Sequence, residues 1–194
     1  MRLPWNRLCC PRCALPQPHD QPCRRCLRRP PAFDAAWSAF CLETPVRQSI
    51  HQLKYNARFL EARALGHLMA EQLRTRESLP GWLIPVPLHR HRLWHRGYNQ
   101  ALEVGRTIAE HCSMQLLATA ARRVRATADQ IGMTASQRRR NVRNAFKVDI
   151  DLSGRHVALI DDVMTTGATL DALAQACKRA GAARVEAWCA ARVA

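Results

Sequence analysis

Hydrophobic residues recur along most of the chain with spacings that predict helices and buried strands in turn. Two amphipathic helices come first. Their predicted inward residues are Val46, Ile50 and Leu53 in one helix, and Leu60, Ala64, Leu65, Leu68, Met69 and Leu73 in the other. The apolar run at 82–87 suits a buried strand, and Asn99 is placed to cap the next helix. That helix would turn Ala101, Leu102, Gly105, Ile108 and Ala109 inward.

The second half of the chain continues this alternation. Short strands are predicted at 114–117 and 146–148, around a polar, basic segment at 118–144 without a clear period. Residues 157–160 are all apolar, which favours a strand covered on both faces. A helix from about Ala168 to Ala180 and a strand at 184–190 complete the pattern. Strands alternating with helices predict an α/β fold, a mainly parallel sheet flanked by helices.

The first 31 residues differ from the rest, because they are rich in Pro, Cys and Arg and nearly lack periodic hydrophobes. We therefore predict two units, a small cysteine segment at 1–31 and an α/β domain at 32–194. Two thiol pairs stand in the first unit, Cys10 with Cys13 and Cys23 with Cys26. This spacing is typical of a zinc ribbon, in which a structural Zn²⁺ supplies the folding free energy that a coreless segment lacks.

Two points about the cysteines stay open at this stage. Cys9 adjoins Cys10, and we prefer Cys10 as the ligand because it gives the regular spacing. His19 is an alternative ligand, although four thiolates already suffice. The segment could bind nucleic acid, dock a partner or only staple its own domain. The other cysteines, Cys41, Cys112, Cys177 and Cys189, stand among apolar residues and are predicted to belong to the core.

Charge points to a polyanionic partner. The 194 residues hold 30 Lys plus Arg against 15 Asp plus Glu, a net charge of +15, and lysine occurs only at 54, 147 and 178. Arginine suits phosphate contacts, although genomic base composition also explains an arginine bias. No apolar stretch approaches the roughly 20 residues of a membrane span, and no signal peptide is visible. We therefore expect a cytoplasmic protein whose thiols stay reduced.

The strongest motif is an acidic pair followed by a hydroxyl-rich loop. It reads Asp161-Asp162-Val163-Met164-Thr165-Thr166-Gly167-Ala168-Thr169. Backbone N–H groups, hydroxyls and a helix N-terminus after a buried strand would form a phosphate cradle. The two carboxylates would then bind a neighbouring diol or a hydrated Mg²⁺. A phosphate, a diol and Mg²⁺ side by side indicate a ribose 5-phosphate ligand. The loop lacks the lysine and spacing of a Walker P-loop, which disfavours a nucleoside triphosphatase.

This motif resembles the phosphoribosyl-pyrophosphate (PRPP) signature of type I phosphoribosyltransferases, and the wider pattern is similar to the ComF family of competence-related proteins. The residues that carry the wider resemblance are Pro85–His89, Arg96–Gln100, Thr127, Gln130, Arg138, Asn141, Ala145, Phe146 and the double cysteine pair. The match covers nearly the whole chain, and its motifs occur in the family's order.

The resemblance implies a phosphoribosyltransferase-like fold, and it implies that different site residues bind different parts of the ligand. Asp161 and Asp162 would meet the ribose hydroxyls, directly or through Mg²⁺-bound water, and would be the residues at the reacting centre. The loop at 163–169 would hold the 5-phosphate, and the loop with Leu88 and His89 would lie near the pyrophosphate. Family members are linked to the handling of incoming single-stranded DNA in natural transformation, or to the use of DNA as a nutrient.

One departure concerns Thr165, where purine-salvage relatives often carry an acidic residue that serves as a general base. A purine-type proton abstraction is therefore not supported, although orotate-type relatives also lack that acid. The resemblance brings no defined acceptor base, and it does not decide whether turnover occurs. The oligomeric state is equally open.

The basic segment before the signature is the third feature. Residues 121–147 carry +7, with Arg122, Arg138, Arg139 and Arg140 among their cations. Such a loop could close over pyrophosphate, or it could contact DNA. Trp94, in a second basic group, could stack on a base, but we favour a buried or interface position.

Three hypotheses follow. In the first, the chain is a Mg²⁺-dependent phosphoribosyltransferase, and pyrophosphate leaves C1 of the PRPP sugar. In the second, it is a non-catalytic PRPP sensor that binds single-stranded DNA or a helicase-type partner. The third, a zinc-ribbon nucleic-acid protein with a vestigial pocket, is disfavoured by the intact acidic pair.

Overall fold

The computed structural model describes residues 3–125 and 134–194, except for the side chains of 135, 138 and 139. Its strands are β1 (Ala35–Cys41), β2 (Trp82–Pro85), β3 (Gln115–Leu116), β4 (Ala121–Arg123), β5 (Phe146–Val148), β6 (His156–Met164) and β7 (Arg184–Arg192). Its helices are α1 (Arg24–Arg28), α2 (Val46–Asn56), α3 (Phe59–Leu73), α4 (Arg90–Arg96), α5 (Gln100–His111), α6 (Ala135–Val142) and α7 (Ala168–Arg179).

Five strands form one parallel sheet in the order β1-β7-β6-β2-β3. The predicted both-face coverage of β6 is confirmed. Leu159 belongs to one buried cluster, which includes Leu173 of α7, and Ile160 belongs to the other, which includes Ile108 of α5. The chain thus leaves β2 toward one face and β6 toward the other. This makes the gap between β2 and β6 a topological switch point, where ligands of open α/β sheets bind.

The cap predicted for α5 and the extent predicted for α7 also agree with the structure. The Asn99 side chain caps α5 by accepting a hydrogen bond from Ala101 N at 3.1 Å. Gly181 follows the C-cap of α7 with φ 95°, a left-handed conformation that glycine adopts without a Cβ penalty.

The predicted inward face of α3 is partly wrong. Leu60 and Ala64 are exposed, and the buried stripe passes through Ala62 and Gly66 instead. The reason is a close helix crossing, because a Cβ at Gly66 would lie 2.7 Å from the Cβ of Thr107 on α5. Leu65, Met69 and Leu73 are buried as predicted, and the small residues at the crossing decide that the buried face extends past Ala62 rather than past Leu60.

The basic segment holds more structure than its sequence pattern suggested. β4 pairs antiparallel with β5, and α6 begins with a reciprocal capping box between Thr134 and Gln137. The pattern also missed β1, α1 and α4. Of the cysteines predicted for the core, Cys177 and Cys189 are buried, whereas Cys41 and Cys112 are half-buried.

The segment before β1 runs along the outer edge of that strand. Asn6 N donates to Ala39 O at 2.9 Å, and Cys41 N donates to Pro4 O at 2.8 Å. The backbone of β1 therefore finds partners on both sides, which protects an edge that would otherwise invite pairing with another chain.

Candidate functional site

Two loops leave the sheet side by side at the switch point. Pro85 of β2 pairs with Ile160 of β6, and Val86 N donates to Ile160 O at 2.9 Å. The loop after β2, which carries the predicted pyrophosphate residues Leu88 and His89, therefore starts next to the acidic pair. Both side chains are half-buried, and the His89 ring accepts a hydrogen bond from His91 N at the start of α4.

The loop after β6 wraps a small cavity at the beginning of α7. Its lining consists of Asp161, Val163, Met164, Thr165, Gly167, Ala168, Thr169 and Leu170. Gly167 has φ 76° and precedes the first residue of α7, and the Thr166 hydroxyl accepts from Ala168 N at 3.3 Å. A left-handed glycine and a helix start at the end of a buried strand give the geometry that accommodates an anion.

Both carboxylates lie inside β6 rather than after it, since the strand runs four residues beyond its predicted end, to Met164. Burial and the neighbouring charge of Asp162 raise the pKa of Asp161 to about 7, although Lys54 and Arg123 act in the opposite direction. Asp162 is buried and its carboxylate lies 2.9 Å from the ammonium group of Lys54 on α2. The two acids therefore have different surroundings, with Asp161 at the loop cavity and Asp162 held by a lysine.

Two cations, Lys54 and Arg123, act on this pair of acids, and two more, Arg96 and Arg92, lie close enough to act on those cations. Burial lowers the pKa of Lys54 and Asp162 raises it, with a net rise, while Arg96 is close enough to act on the same ammonium group. Arg123 is influenced by burial, Arg92 and Asp161, which leave its pKa below the usual value. Four positive charges against two carboxylates leave an excess that suits a ligand with several phosphate charges.

Sequence reasoning missed these four residues, which come from three separate elements. Lys54 lies on α2, the first of the predicted helices, and Arg92 and Arg96 flank Trp94 in the unpredicted α4. Lys54 does stand out in the sequence, because it is one of only three lysines among 30 basic Lys and Arg residues. Its rarity does not, however, connect it to the acidic motif, which lies more than 100 residues later.

The predicted basic-loop residues lie in different surroundings rather than together at one site. Arg122 forms an ion pair with Asp149, with 2.6 Å between Nε and the carboxylate. The next residue, Arg123, lies over the ring of Phe146, close enough to Asp161 for that carboxylate to raise its pKa against the lowering by burial. Arg140 is exposed on α6, and the side chains of Arg138 and Arg139 lie outside the described residues, as do Thr127 and Gln130.

A larger cavity of about 1160 Å³ adjoins the loop after β2. Its walls include Leu88, His89, Arg90, Arg122 and Arg123 together with the apolar residues Phe59, Leu93, Tyr98, Leu102 and Val124. Trp94 does not line this cavity. With 80% of its surface exposed it is not buried within this chain, and the other predicted position, at an interface, stays a prediction.

The four predicted cysteine ligands form a buried cluster. The Sγ atoms of Cys10, Cys13, Cys23 and Cys26 all lie within 4.8 Å of one another. The 3.8 Å between the Sγ atoms of Cys13 and Cys23 equals the edge of a tetrahedron with metal–sulfur bonds of about 2.3 Å. Neither Cys9 nor His19 belongs to the cluster, so the donor set that fits Zn²⁺ is the one with regular spacing.

Comparison with known proteins agrees with this architecture. Residues 102–194 match the model of the phosphoribosyl transferase domain. The chain is 39% identical to DNA utilization protein YhgH of Escherichia coli O157:H7, covering 96% of this chain and 85% of that protein. It is 33% identical to competence protein F of Haemophilus influenzae over 91% of this chain and 80% of that one.

A purine phosphoribosyltransferase from Pyrococcus horikoshii Ot3 is 15% identical, covers 69% of this chain and 86% of its own, and superposes with a TM-score of 0.42. The fold assignment rests on the sheet topology and the domain match. None of the helices in the described part of the chain is long and apolar enough to cross a membrane. The extent and identity of the two relatives decide the assignment: the chain belongs to the YhgH/ComF family of DNA-utilization and competence proteins and contains a phosphoribosyltransferase-like domain.

Proposed function

We propose that this protein binds PRPP, or a related ribose 5-phosphate ligand, between β2 and β6 and does so in the uptake or use of DNA. The observation that carries the proposal is the meeting of three features at one switch point: the loop cavity at Gly167, the carboxylate of Asp161 and the surrounding cations. An anion cradle, a diol-binding acid and excess positive charge are what a phosphorylated ribose needs.

The roles of individual residues follow from their positions. The loop at 163–169 holds the 5-phosphate, and Asp161 and Asp162 hold the ribose hydroxyls. Leu88 and His89 border the pyrophosphate, whose charge Arg123, Arg92 and Lys54 neutralise. Mg²⁺ bound with the ligand would supply further charge neutralisation, and carboxylate and phosphate oxygens are its preferred donors. The structural metal of the four-cysteine cluster is Zn²⁺.

The role in DNA uptake or use rests on the relatives, which are named for DNA utilization and competence. A net charge of +15 supports contact with single-stranded DNA, and a helicase-type protein is the proposed partner. Such a role fits a cytoplasmic protein, because zinc-binding thiols stay reduced there. Neutralising Arg139 and Arg140 should weaken binding of an oligonucleotide and flatten its salt dependence, as measured by fluorescence anisotropy.

The same site allows either transfer of the phosphoribosyl group or ligand sensing without turnover. Pyrophosphate release with a panel of nucleobases would support a phosphoribosyltransferase. Saturable PRPP binding without release would support the second candidate, a sensor whose basic surface handles DNA or a partner.

Calorimetric titration of PRPP with Mg²⁺ into zinc-loaded protein tests the proposal. We expect saturable binding that is lost when Asp161→Asn and Asp162→Asn are combined. The matched control combines Glu77→Gln with Glu110→Gln, two exposed acids away from the site, and should bind as the unaltered protein does. No binding to the folded, zinc-loaded protein, or equal affinity in the Asp double variant, would contradict the proposal.

A further inference from the structure

A buried arginine joins the cysteine cluster to the loop after β6. Arg192, at the end of β7, is 2% exposed. Its Nε donates to the carbonyl oxygen of Cys13 at 2.9 Å, and its Nη1 donates to that of Met164 at 3.1 Å and also to that of Thr165. One guanidinium group therefore connects a predicted metal ligand with two consecutive residues of the loop.

A second arginine makes the same connection from the other side. Arg25 lies on α1, between Cys23 and Cys26, and its Nη2 donates to the carbonyl oxygen of Thr166. The chain following α1 is anchored to α7 as well, since Ala32 N donates to a carboxylate oxygen of Asp171 at 2.6 Å. Two arginines thus hold the carbonyls of the loop: Arg25, from the cysteine segment, holds that of Thr166, and Arg192, from β7, holds that of Thr165 while it also binds the Cys13 carbonyl.

These contacts determine where the amide groups of the loop point. In a trans peptide the N–H of one residue is directed opposite to the carbonyl of the residue before it. Holding the carbonyls of Thr165 and Thr166 toward the arginines therefore turns the N–H groups of Thr166 and Gly167 away from them. Arg25 lines a small space that shares Gly167 and Ala168 with the cavity at Asp161, but it does not line that cavity itself, so Arg25 approaches the loop from outside it.

Metal coordination would place α1 with Arg25 and the carbonyl group of Cys13, whereas Arg192 is positioned by its own strand, β7. The buried cluster of this segment consists of the four cysteines themselves, with Leu15 packed against them. A segment without other core depends on its metal for a defined conformation. Loss of the metal would release α1 together with Arg25, and it would take from Arg192 the Cys13 carbonyl that its Nε binds while its Nη1 holds the loop.

We propose that Arg25 and Arg192 are positioning residues that couple metal occupancy of the four cysteines to phosphate binding at the loop. This rests on the proposed function, because it assumes that the loop at 163–169 holds a phosphate. Coupling between two sites is reciprocal, so a phosphate ligand must strengthen metal retention by the same factor by which the metal strengthens ligand binding.

Arg25→Gln tests the coupling, with Arg24→Gln as its matched control. Both arginines are exposed on α1 and both changes remove one charge, but the hydrogen bond to Thr166 belongs to Arg25. We expect Arg25→Gln to weaken calorimetric binding of ribose 5-phosphate by about three- to tenfold, as for the loss of one charge-assisted hydrogen bond. Arg24→Gln should change the affinity less than about twofold, and zinc content should stay equal in both.

The reciprocal effect is measured by competition with a zinc chelator. Saturating ribose 5-phosphate should raise the chelator concentration needed for half-removal of zinc in the unaltered protein and in Arg24→Gln. The increase should be smaller in Arg25→Gln. An equal effect of the ligand in all three proteins would overturn the coupling.

Amide hydrogen exchange without ligand separates failure of the coupling from failure of the proposed function. Arg25→Gln should exchange faster than Arg24→Gln at the amides of residues 166–168, whether or not a sugar phosphate binds. If ribose 5-phosphate fails to bind the unaltered protein but this difference is present, the proposed ligand is wrong and the positioning role stands. Equal exchange in the two variants would overturn the positioning role.

Discussion

The ammonium group of Lys54 lies 2.9 Å from a carboxylate oxygen of Asp162, at the centre of the candidate site. This ion pair ties α2, from the first third of the chain, to the strand that carries the acidic motif. The ion pair also gives the two neighbouring acids different electrostatic surroundings. Asp162 has a nearby counter-charge, whereas burial and the charge of Asp162 raise the pKa of Asp161 to about 7.

Replacement of the lysine should destabilise the fold. Lys54→Met leaves Asp162 buried without its cation, and we expect a loss of about 1–3 kcal/mol in the free energy of unfolding, measured by urea denaturation at pH 7.5. Lys147→Met is the control, since its partner Asp149 is exposed, and it should cost less than about 0.5 kcal/mol. Equal losses in the two variants would show that the Lys54 pair has no special energetic role.

Asp161→Asn should stabilise the ligand-free protein at high pH. The folded-state pKa is about 7 and the unfolded value is near 3.8, so the folded state disfavours ionisation of this group. The resulting penalty grows as pH rises from about 4 to 7 and is constant above that. We expect the variant to be more stable than the unaltered protein by about 2–4 kcal/mol at pH 8 and nearly equal at pH 4, by urea denaturation. A pH-independent difference would contradict the raised pKa.

The two adjacent cysteines should behave differently. Cys10→Ser removes a member of the four-thiol cluster, so purified protein should lose stoichiometric zinc and unfold at a lower temperature. Cys9→Ser, one residue earlier and outside the cluster, should retain zinc and the thermal midpoint. Zinc analysis combined with calorimetry checks both, and full zinc content in Cys10→Ser would refute the assignment of the ligands.

Glu186→Gln should destabilise the protein at neutral pH but not in acid. Burial raises the pKa of Glu186, but Trp188 Nε1–H, Arg76, His156 and Arg184 outweigh burial and leave the pKa below its ordinary value. A lowered carboxyl pKa contributes stability above the unfolded value of about 4.5, and this is lost as pH falls through the folded value.

We therefore expect Glu186→Gln to cost about 2–4 kcal/mol at pH 7, with the difference shrinking below pH 4, in urea denaturation. Glu110→Gln, which alters an exposed acid of α5, should be neutral at both pH values. A loss that persists unchanged at pH 3 would mean that packing, rather than charge, accounts for the effect of Glu186→Gln.

Local patterns were sufficient for much of the fold. The cap at Asn99 and the both-face coverage of residues 157–160 could be predicted, because each depends on neighbours in sequence. The full inward face of α3 could not be predicted. Leu65, Met69 and Leu73 are buried as expected, but a crossing with Thr107 of α5 turned Gly66 inward and left Leu60 exposed.

The candidate site divides in the same way. The sequence by itself determined the four-cysteine set and the acidic loop at 161–169, since thiol spacing and a strand–loop–helix motif are properties of short segments. Only the tertiary structure decided that Lys54 faces Asp162 and that Arg25 and Arg192 hold the loop. Arg25 is 141 residues from Thr166, and contacts at such separations depend on how the sheet brings strand ends together, which no local spacing records.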